Sequence, residues 1–416
     1  MKILTRLLFA TCLWAVPAGA QGTDAFGRLR VSQPVVLFNS VYDFSAEGAG
    51  TELEALRWIS GITAGGTLTP NAARASMTLA VTNAQGDQVI HQSKERFTYR
   101  AGQSIMVNLT SVMGAAEAGV RKRVGLFDDD DGMFLEQTVA GALQWCVRSS
   151  VSGGVVDDCQ TPRESVPGAP ALDVSQSQIL WWDFQYLGVG RVRSGYYRSG
   201  ERKTSGRFYH AGKVASVCMR RGTLPVRFEI TNVDGSAGAA SLEQICSSVV
   251  REGAASEPGA SWGASRNNDE LSLATDDCRV VIALRSKSVA ANILVLGAEL
   301  LGTTANGRGF SYYLLLNPDI TAGALVWADL RTGQSIAQVA IPTDAAQVVA
   351  DQDTGVIIAA GYVGDNKGTQ KKILITEPAP LTSLTLAGAS DELVVCAKGI
   401  GGTPKAVGAL SWSERY

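Results

Sequence analysis

Histidine is almost absent from this sequence of 416 residues, since His91 and His210 are its only two. This leaves little material for histidine-based catalysis or for a metal site with several histidine ligands. The sequence also lacks a C-x-x-C pair, an H-E-x-x-H motif and a phosphate-binding P-loop. It therefore predicts no catalytic residue, no metal site and no cofactor, and it favours a protein that is not an enzyme.

Charge is also scarce and balanced. Lys and Arg together number 37 against 39 Asp and Glu, the net charge is −2, and only 18% of residues are charged. This excludes a large basic surface for nucleic-acid backbones, so no nucleic-acid partner is expected. The 45% hydrophobic content excludes a disordered polyelectrolyte, and the length has room for two or three domains.

Long hydrophobic runs are missing after residue 20, so no membrane span is expected. The first twenty residues differ from the rest: Lys2 and Arg6 precede an apolar run at residues 7–16, and the small residues Ala18 and Ala20 follow. This pattern is typical of a secretory signal peptide that is cut after Ala20. The alternative is an apolar arm that is retained and docks onto a neighbouring subunit.

The cysteines form no compact motif. Beyond Cys12 there are six, and Cys146 with Cys159 is the only pair that is close in sequence. Single, scattered cysteines in a long chain are more often small buried apolar residues, which favours free thiols. Disulfides are the alternative in an oxidising compartment.

Short apolar or alternating runs, bounded by Gly, Asn, Asp and Ser, recur along the whole chain, and glycine reaches 45 residues. Such runs predict an all-β protein of two antiparallel β-sandwich (jelly-roll-like) domains in series after a short apolar N-terminal segment. The expected boundaries are 1–20 for this segment, 21–255 for the first sandwich and 270–416 for the second. The Gly-, Ser- and Ala-rich residues 253–270 predict a linker, and residues 239–252 fit a strand better than a helix.

Four consecutive acidic residues, Asp128 to Asp131, precede Gly132 and suggest a calcium loop. The spacing is wrong for an EF-hand, because Phe127 and Thr138 occupy positions that need carboxylates. Strand patterns on both sides predict a hairpin with a solvated loop instead, in which Gly132 supplies the positive φ. Weak binding of a cation is the alternative.

Aromatic residues are densest at residues 181–186, where alternation sends Trp181 and Asp183 to one face of a strand and Trp182 and Phe184 to the other. An aromatic ring beside a carboxylate can bind a sugar, whereas burial in the core is the alternative. Arginines interleave with tyrosines in the following residues and predict a basic hairpin with Ser199 and Gly200 at its tip. The candidate ligand-binding residues are Trp181, Asp183, Tyr196, Tyr197 and Arg198.

Several blocks resemble a group of virion structural proteins of tailed bacteriophages. The most specific are residues 24–32 (DAFGRLRVS) and residues 121–132 (RKRVGLFDDDDG), and residues 178–193 and 409–414 are supportive. The resemblance implies a structural component of the tail, baseplate or head that assembles with other virion proteins. It implies no catalytic residue.

The combined prediction is a non-enzymatic virion component, a homo-oligomer such as a trimer, that contacts other virion subunits and host surface glycans. The alternative is a secreted or periplasmic β-sandwich protein that binds carbohydrate. A third class, a β-sandwich glycoside hydrolase, needs two carboxylates across a cleft, for which Asp183 and Glu229 are candidates.

Overall fold

The computed structural model describes residues 34–42, 57–163, 172–253, 259–266, 269–288, 292–303, 309–364, 368–375, 380–381, 386 and 388–415. The predicted leader at residues 1–20 and the block at residues 24–32 lie outside the described residues. Nearly all regular structure in the described residues is β-strand, with one 3₁₀ turn at Ala72–Arg74.

Among the described residues, the first half of the chain forms fifteen strands. In chain order they are β1 (Pro34–Val41), β2 (Trp58–Thr63), β3 (Thr67–Asn71), β4 (Ser76–Val81), β5 (Gln88–Ser93), β6 (Ile105–Val112), β7 (Val120–Phe127), β8 (Gly132–Gln137), β9 (Leu143–Ser149), β10 (Val156–Gln160), β11 (Gln178–Phe184), β12 (Val192–Arg198), β13 (Glu201–Phe208), β14 (Val226–Asn232) and β15 (Ala240–Glu252).

The part of the second half that the structure describes forms fourteen further strands. They are β16 (Ala260–Ser265), β17 (Leu271–Ser272), β18 (Cys278–Ser286), β19 (Asn292–Gly302), β20 (Phe310–Leu316), β21 (Ile320–Ala322), β22 (Ala328–Asp329), β23 (Ala337–Ala340), β24 (Val349–Ala350), β25 (Val356–Val363), β26 (Gln370–Leu374), β27 (Pro380–Leu381), β28 (Glu392–Gly399) and β29 (Lys405–Arg415).

Strands β1 to β15 build two antiparallel sheets. Sheet A has the order β13-β12-β11-β6-β15-β4-β3, with β1 also paired to β15, and sheet B has the order β10-β9-β8-β7-β14-β5-β2. Alternate residues of each sheet are apolar and meet in one core, for example Leu109 and Trp182 of sheet A with Val124 and Phe228 of sheet B. The sheets therefore form a β-sandwich.

Strands β16 to β29 build a second sandwich. Sheet C has the order β16-β29-β19-β26, with β17 paired to β29 and β27 to β19; sheet D has the order β21-β24-β18-β28-β20-β25, with β23 paired to β18 and β22 to β23. Its core joins Leu300 and Trp412 of sheet C to Leu314 and Val395 of sheet D. The prediction of an all-β protein built from antiparallel sandwiches is confirmed.

Two local predictions are also confirmed. Residues 240–252 form one long strand, β15, rather than a helix. The run before Gly132 and the run after it pair as β7 and β8, and Gly132 has a φ of +144°. A side chain at this glycine would collide with the backbone of Phe127, which explains the residue type.

The predicted linker at residues 253–270 is wrong for its central part. Residues 260–265 form the strand β16, which pairs with β29 along its whole length. Its small residues have weak intrinsic strand propensity, but Trp262 packs against the core and the ladder with β29 supplies the backbone hydrogen bonds. Tertiary context therefore overrides composition here.

Two disulfides correct the preference for free thiols. Cys146 of β9 is bonded to Cys159, its direct partner on β10, and Cys278 of β18 is bonded to Cys396 of β28. Cys218 and Cys246 lie outside these bonds. Among the described residues, no helix has the length and hydropathy needed to traverse a lipid bilayer.

The two sandwiches touch through a buried polar contact. Lys94 Nζ, which follows β5, lies 3.3 Å from Asp391 Oδ1, which precedes β28, and the two side chains are 6% and 1% exposed. Asn317 Nδ2 also donates to Asp391 Oδ1 at 2.9 Å. Beside this pair, Asn292 Nδ2 donates to the backbone oxygen of Arg96 at 2.8 Å.

Candidate functional site

The predicted alternation along β11 is confirmed. Trp182 and Phe184 point into the core of the first sandwich, whereas Trp181 and Asp183 lie on the opposite, outer face of sheet A. The register places Trp181 opposite Gly195 of β12 on one side and Asn108 of β6 on the other.

Trp181 is nonetheless fully buried, so it offers no exposed platform to a ligand. Its indole lies over Gly195, where the Cβ of any larger residue would come within 2.9 Å of the ring. The indole Nε1 donates to the backbone oxygen of Lys203 at 3.1 Å. The guanidinium of Arg202 covers the ring at 4.8 Å from its centre, which is cation–π geometry.

Asp183 is buried beside this stack and is neutralised by arginines. Arg193 donates to its Oδ2, and Arg202 Nη1 lies 4.0 Å from the same oxygen. Burial lowers the pKa of the Arg193 guanidinium from its ordinary value, while the neighbouring Asp183 carboxylate raises it. Asp183 therefore holds arginines in place and does not reach the surface itself.

The three other predicted ligand residues separate across the sheet. Tyr196 points into the core and is 3% exposed. Tyr197 and Arg198, at the end of β12, are half-buried, and the Arg198 guanidinium lies 5.6 Å from the Tyr196 ring. The predicted basic hairpin exists, with β12 and β13 joined by Ser199 and Gly200.

A row of polar side chains crosses the outer face of sheet A next to Trp181. Asn108 of β6 pairs with Ser248 of β15, which pairs with Asn39 of β1. Asn108 and Ser248 are half-buried and Asn39 is exposed. Alongside this row lie the partly exposed Tyr197 and Arg202, together with Ile179, which is 44% exposed. We call this surface the outer A face and define it by Asn39, Asn108, Ile179, Tyr197, Arg202 and Ser248.

Sequence reasoning missed most of this face. The available signal was strand alternation, because Asn108 lies between the inward Val107 and Leu109 of β6, and Ser248 lies between the inward Ser247 and Val249 of β15. What the sequence lacks is the strand order, which brings β11, β6, β15 and β1 side by side from distant parts of the chain.

The acidic loop at residues 128–131 is not a solvated turn, which corrects the prediction. Asp128 and Asp131 are buried at 6% and 0% exposure. Arginines from other parts of the chain approach the carboxylates of the loop, namely Arg96, Arg220, Arg221 and Arg227. Among the described residues, no group of three or more His, Cys, Asp and Glu side chains is arranged to hold a metal ion.

Asp128 organises this loop. Its Oδ2 accepts from Arg96 Nη1 at 2.6 Å, and its Oδ1 accepts from the backbone amides of Asp130 and Asp131 at 2.9 Å each. Burial by itself raises the pKa of Asp128, but Arg96 and the two amides outweigh it, and the net pKa is lower than usual. The loop is thus a structural ion-pair network.

The two carboxylates considered for glycoside hydrolysis do not face each other. Asp183 lies on the outer face of sheet A, whereas Glu229 of β14 points away from the core on sheet B, since its neighbours Phe228 and Ile230 are in the core. Glu229 is held by arginines, with Arg121 Nη2 and Arg227 Nε each at 3.3 Å. The sandwich core therefore separates the pair.

No protein-family model and no curated protein matches this chain. Among solved structures, it is similar to a glycosyl hydrolase family protein from Mycobacterium fortuitum, with 13% identity over 52% of this chain and 99% of that chain and a TM-score of 0.36. A beta-1,3-glucanase from Mycobacterium marinum matches at 13% identity over 52% and 98%, with a TM-score of 0.36. A GH16 protein of Bacteroides ovatus matches at 7% identity over 51% and 99%, with a TM-score of 0.35.

These matches contradict two predictions. The sequence favours a protein that is not an enzyme and a component of a phage tail, capsid or virion, but these similar structures are glycoside hydrolases. Because the identities and TM-scores are low, no activity and no catalytic residue of these structures is assigned to this chain.

Proposed function

We propose that this chain is a carbohydrate-binding β-sandwich protein and that the outer A face is its binding surface. The observation that supports this most directly is the polar row Asn108–Ser248–Asn39, which continues the Trp181–Arg202 stack across four neighbouring strands. At about 4.8 Å per strand step, the row from Trp181 to Asn39 spans roughly 14 Å. That length suits a chain of sugar units rather than a single small ligand.

The chemistry of the face fits a glycan. Amide and hydroxyl side chains can both donate to and accept from sugar hydroxyls, and the Arg202 guanidinium adds several donors. Exposed apolar side chains beside the row, Ile179 at 44%, Val36 at 59% and Val41 at 55%, can pack against the C–H faces of sugar rings. In this arrangement Trp181 is a positioning residue, because its ring holds the Arg202 guanidinium over the face.

A secreted or periplasmic location belongs to the same proposal. Disulfides persist in oxidising compartments and are rare in the cytosol, and the described residues contain two. The signal-like segment at residues 1–20 agrees with export.

The test is binding of soluble glycans by wild type and by an Asn108→Ala/Arg202→Ala variant. A panel of β-glucans, chitin oligosaccharides and acidic polysaccharides is screened on an array, and the best glycan is then measured by calorimetry. We expect the variant to lose at least tenfold in affinity. The matched control is Gln144→Ala, a half-buried amide on the outer side of sheet B, which should bind like wild type.

Two results would overturn the proposal: no binding to any glycan of the panel, or equal binding by the double variant and wild type with both folded by circular dichroism. Release of reducing ends is followed in the same samples, because binding and cleavage of a glycan are separate properties.

A further inference from the structure

A cavity of about 420 Å³ opens at one edge of the first sandwich, away from the outer A face. It lies between strands β9 and β10 of sheet B and the residues that follow β13, up to Cys218. Its walls include the buried Val147 and three exposed valines, Val156 at 57%, Val214 at 42% and Val217 at 40% exposure. This size is within the usual range for small-molecule sites, which are mostly apolar with a few placed polar groups.

One of these polar groups is the carboxylate of Asp158. Asp158 pairs with Val147, an inward residue of β9, so it lies on the inner side of the edge strand β10. Its side chain is exposed, and its carboxylate forms no hydrogen bond or ion pair with any described residue. The adjacent Asp157, on the outer side, accepts from Arg148 Nε at 2.9 Å. Among the described lining residues, Asp158 is the one acidic side chain.

The second polar group is His210, which is 8% exposed. Its Nδ1 lies 2.8 Å from the backbone oxygen of Gly190. Because a carbonyl only accepts hydrogen bonds, Nδ1 carries the proton, and in the neutral ring Nε2 is left as an acceptor. The cavity thus combines the Asp158 carboxylate and the His210 imidazole with apolar walls.

We propose that this cavity binds a small molecule that carries a protonated amine on an apolar body. The ammonium donates to the Asp158 carboxylate and to His210 Nε2, and the apolar body packs against the valines. A neutral ligand makes only the apolar contacts. An anionic ligand is repelled by the negative charge of Asp158. The proposal concerns a different site from the glycan surface and goes beyond the proposed function.

The test uses three probes of similar shape: 2-phenylethylamine, 2-phenylethanol and phenylacetate. Binding to the full chain is measured by ligand-observed NMR and calorimetry near neutral pH. We expect the amine to bind at least tenfold more tightly than the alcohol, and phenylacetate to bind more weakly than either. Asp158→Asn should remove the advantage of the amine while leaving the alcohol unchanged. Asp277→Asn, the same charge change at another exposed carboxylate but in the second sandwich, is the matched control and should retain the advantage of the amine.

A second variant, Val214→Phe, fills the cavity from its exposed edge and should weaken all probes. The inference is overturned if the amine does not bind at millimolar concentration, if it binds no better than the alcohol, or if Asp158→Asn binds it like wild type. None of these results depends on whether the outer A face binds a glycan.

Discussion

Cys218 is a buried thiol whose chemistry follows from its surroundings. It is 8% exposed, and burial, with Asp131 adding to the effect, raises the pKa of its thiol to about 11. Since the thiolate is the reactive form, Cys218 should resist alkylation at neutral pH although it lines the cavity. Cys246, which is half-buried, should be labelled before Cys218.

Iodoacetamide labelling followed by peptide mass spectrometry checks this, since it reports each cysteine separately. The labelling rate of Cys218 should rise about tenfold per pH unit up to pH ~11, as the thiolate fraction does. Rapid labelling of Cys218 at pH 7 in the folded protein would contradict the prediction.

Lys122 is a buried ammonium on β7. It is 1% exposed, and its Nζ donates to the backbone oxygens of Met113 at 2.6 Å and Ala115 at 2.9 Å. Burial lowers its pKa to about 8, with Glu117 opposing the shift. The unfolded chain keeps this proton up to its ordinary pKa of about 10.4.

Between these two pKa values the unfolded state binds more protons than the native state, so this group makes stability rise with pH. We expect the free energy of unfolding of wild type, relative to Lys122→Met, to increase from pH 8 to pH 10. Urea unfolding at several pH values measures the difference. A difference that stays constant or falls over this range would show that Lys122 is not desolvated as described.

At the scale of single elements, the loop between β7 and β8 contains the buried Asp128–Arg96 ion pair. Removing the Asp128 charge leaves Arg96 buried at 9% exposure without its closest anion. We therefore expect Asp128→Asn to destabilise the protein by about 3–5 kcal/mol. The lowered pKa of Asp128 adds a pH effect: its contribution is present above the ordinary value of about 4 and is lost as pH falls through the native pKa.

The matched control is Asp129→Asn in the same loop. The Asp129 side chain is 83% exposed, and its partner Arg227 keeps a second carboxylate, Glu229, at 3.3 Å. Asp129→Asn should lower the free energy of unfolding by less than about 1 kcal/mol. Denaturant unfolding compares the two, and equal losses would mean that burial does not set the energetics of the loop.

Individual strands and loops also show which contacts the sequence predicts and which it does not. Alternation placed Trp182 and Phe184 in the core, and turn residues marked the β7–β8 and β12–β13 hairpins. The contacts that define the sites come from distant positions: Asp128 meets Arg221, and Cys278 is bonded to Cys396, 118 residues away. Such pairs depend on strand order, which local patterns do not encode.

The same reason explains why the site prediction failed for Trp181. An aromatic residue on the outer side of a strand is expected to be exposed, yet Gly195 lets the ring lie flat toward β13 and Arg202 covers it. Neither fact is local to β11. The half-buried neighbours Asn108 and Ser248 are ordinary polar residues in the sequence, and only the pairing of β6 with β15 places them side by side.

At the scale of the whole molecule, the Lys94–Asp391 pair couples the two sandwiches. Both side chains are buried, so removing one charge leaves the other desolvated and unpaired. Asp391→Asn should lower the melting temperature and separate the unfolding of the sandwiches into two calorimetric transitions. A Lys94→Met/Asp391→Leu variant, which removes both charges, should recover part of the loss. A single unshifted transition in Asp391→Asn would show that this contact does not couple them.

The central claim is that the outer A face of the first sandwich binds a glycan, and one experiment addresses it without mutation. Backbone amide resonances are followed by NMR while the best glycan of the panel is added. We predict shifts concentrated at Asn39, Asn108, Tyr197, Arg202 and Ser248, with residues of sheet B unaffected. Saturable binding with shifts confined to any other surface would contradict it.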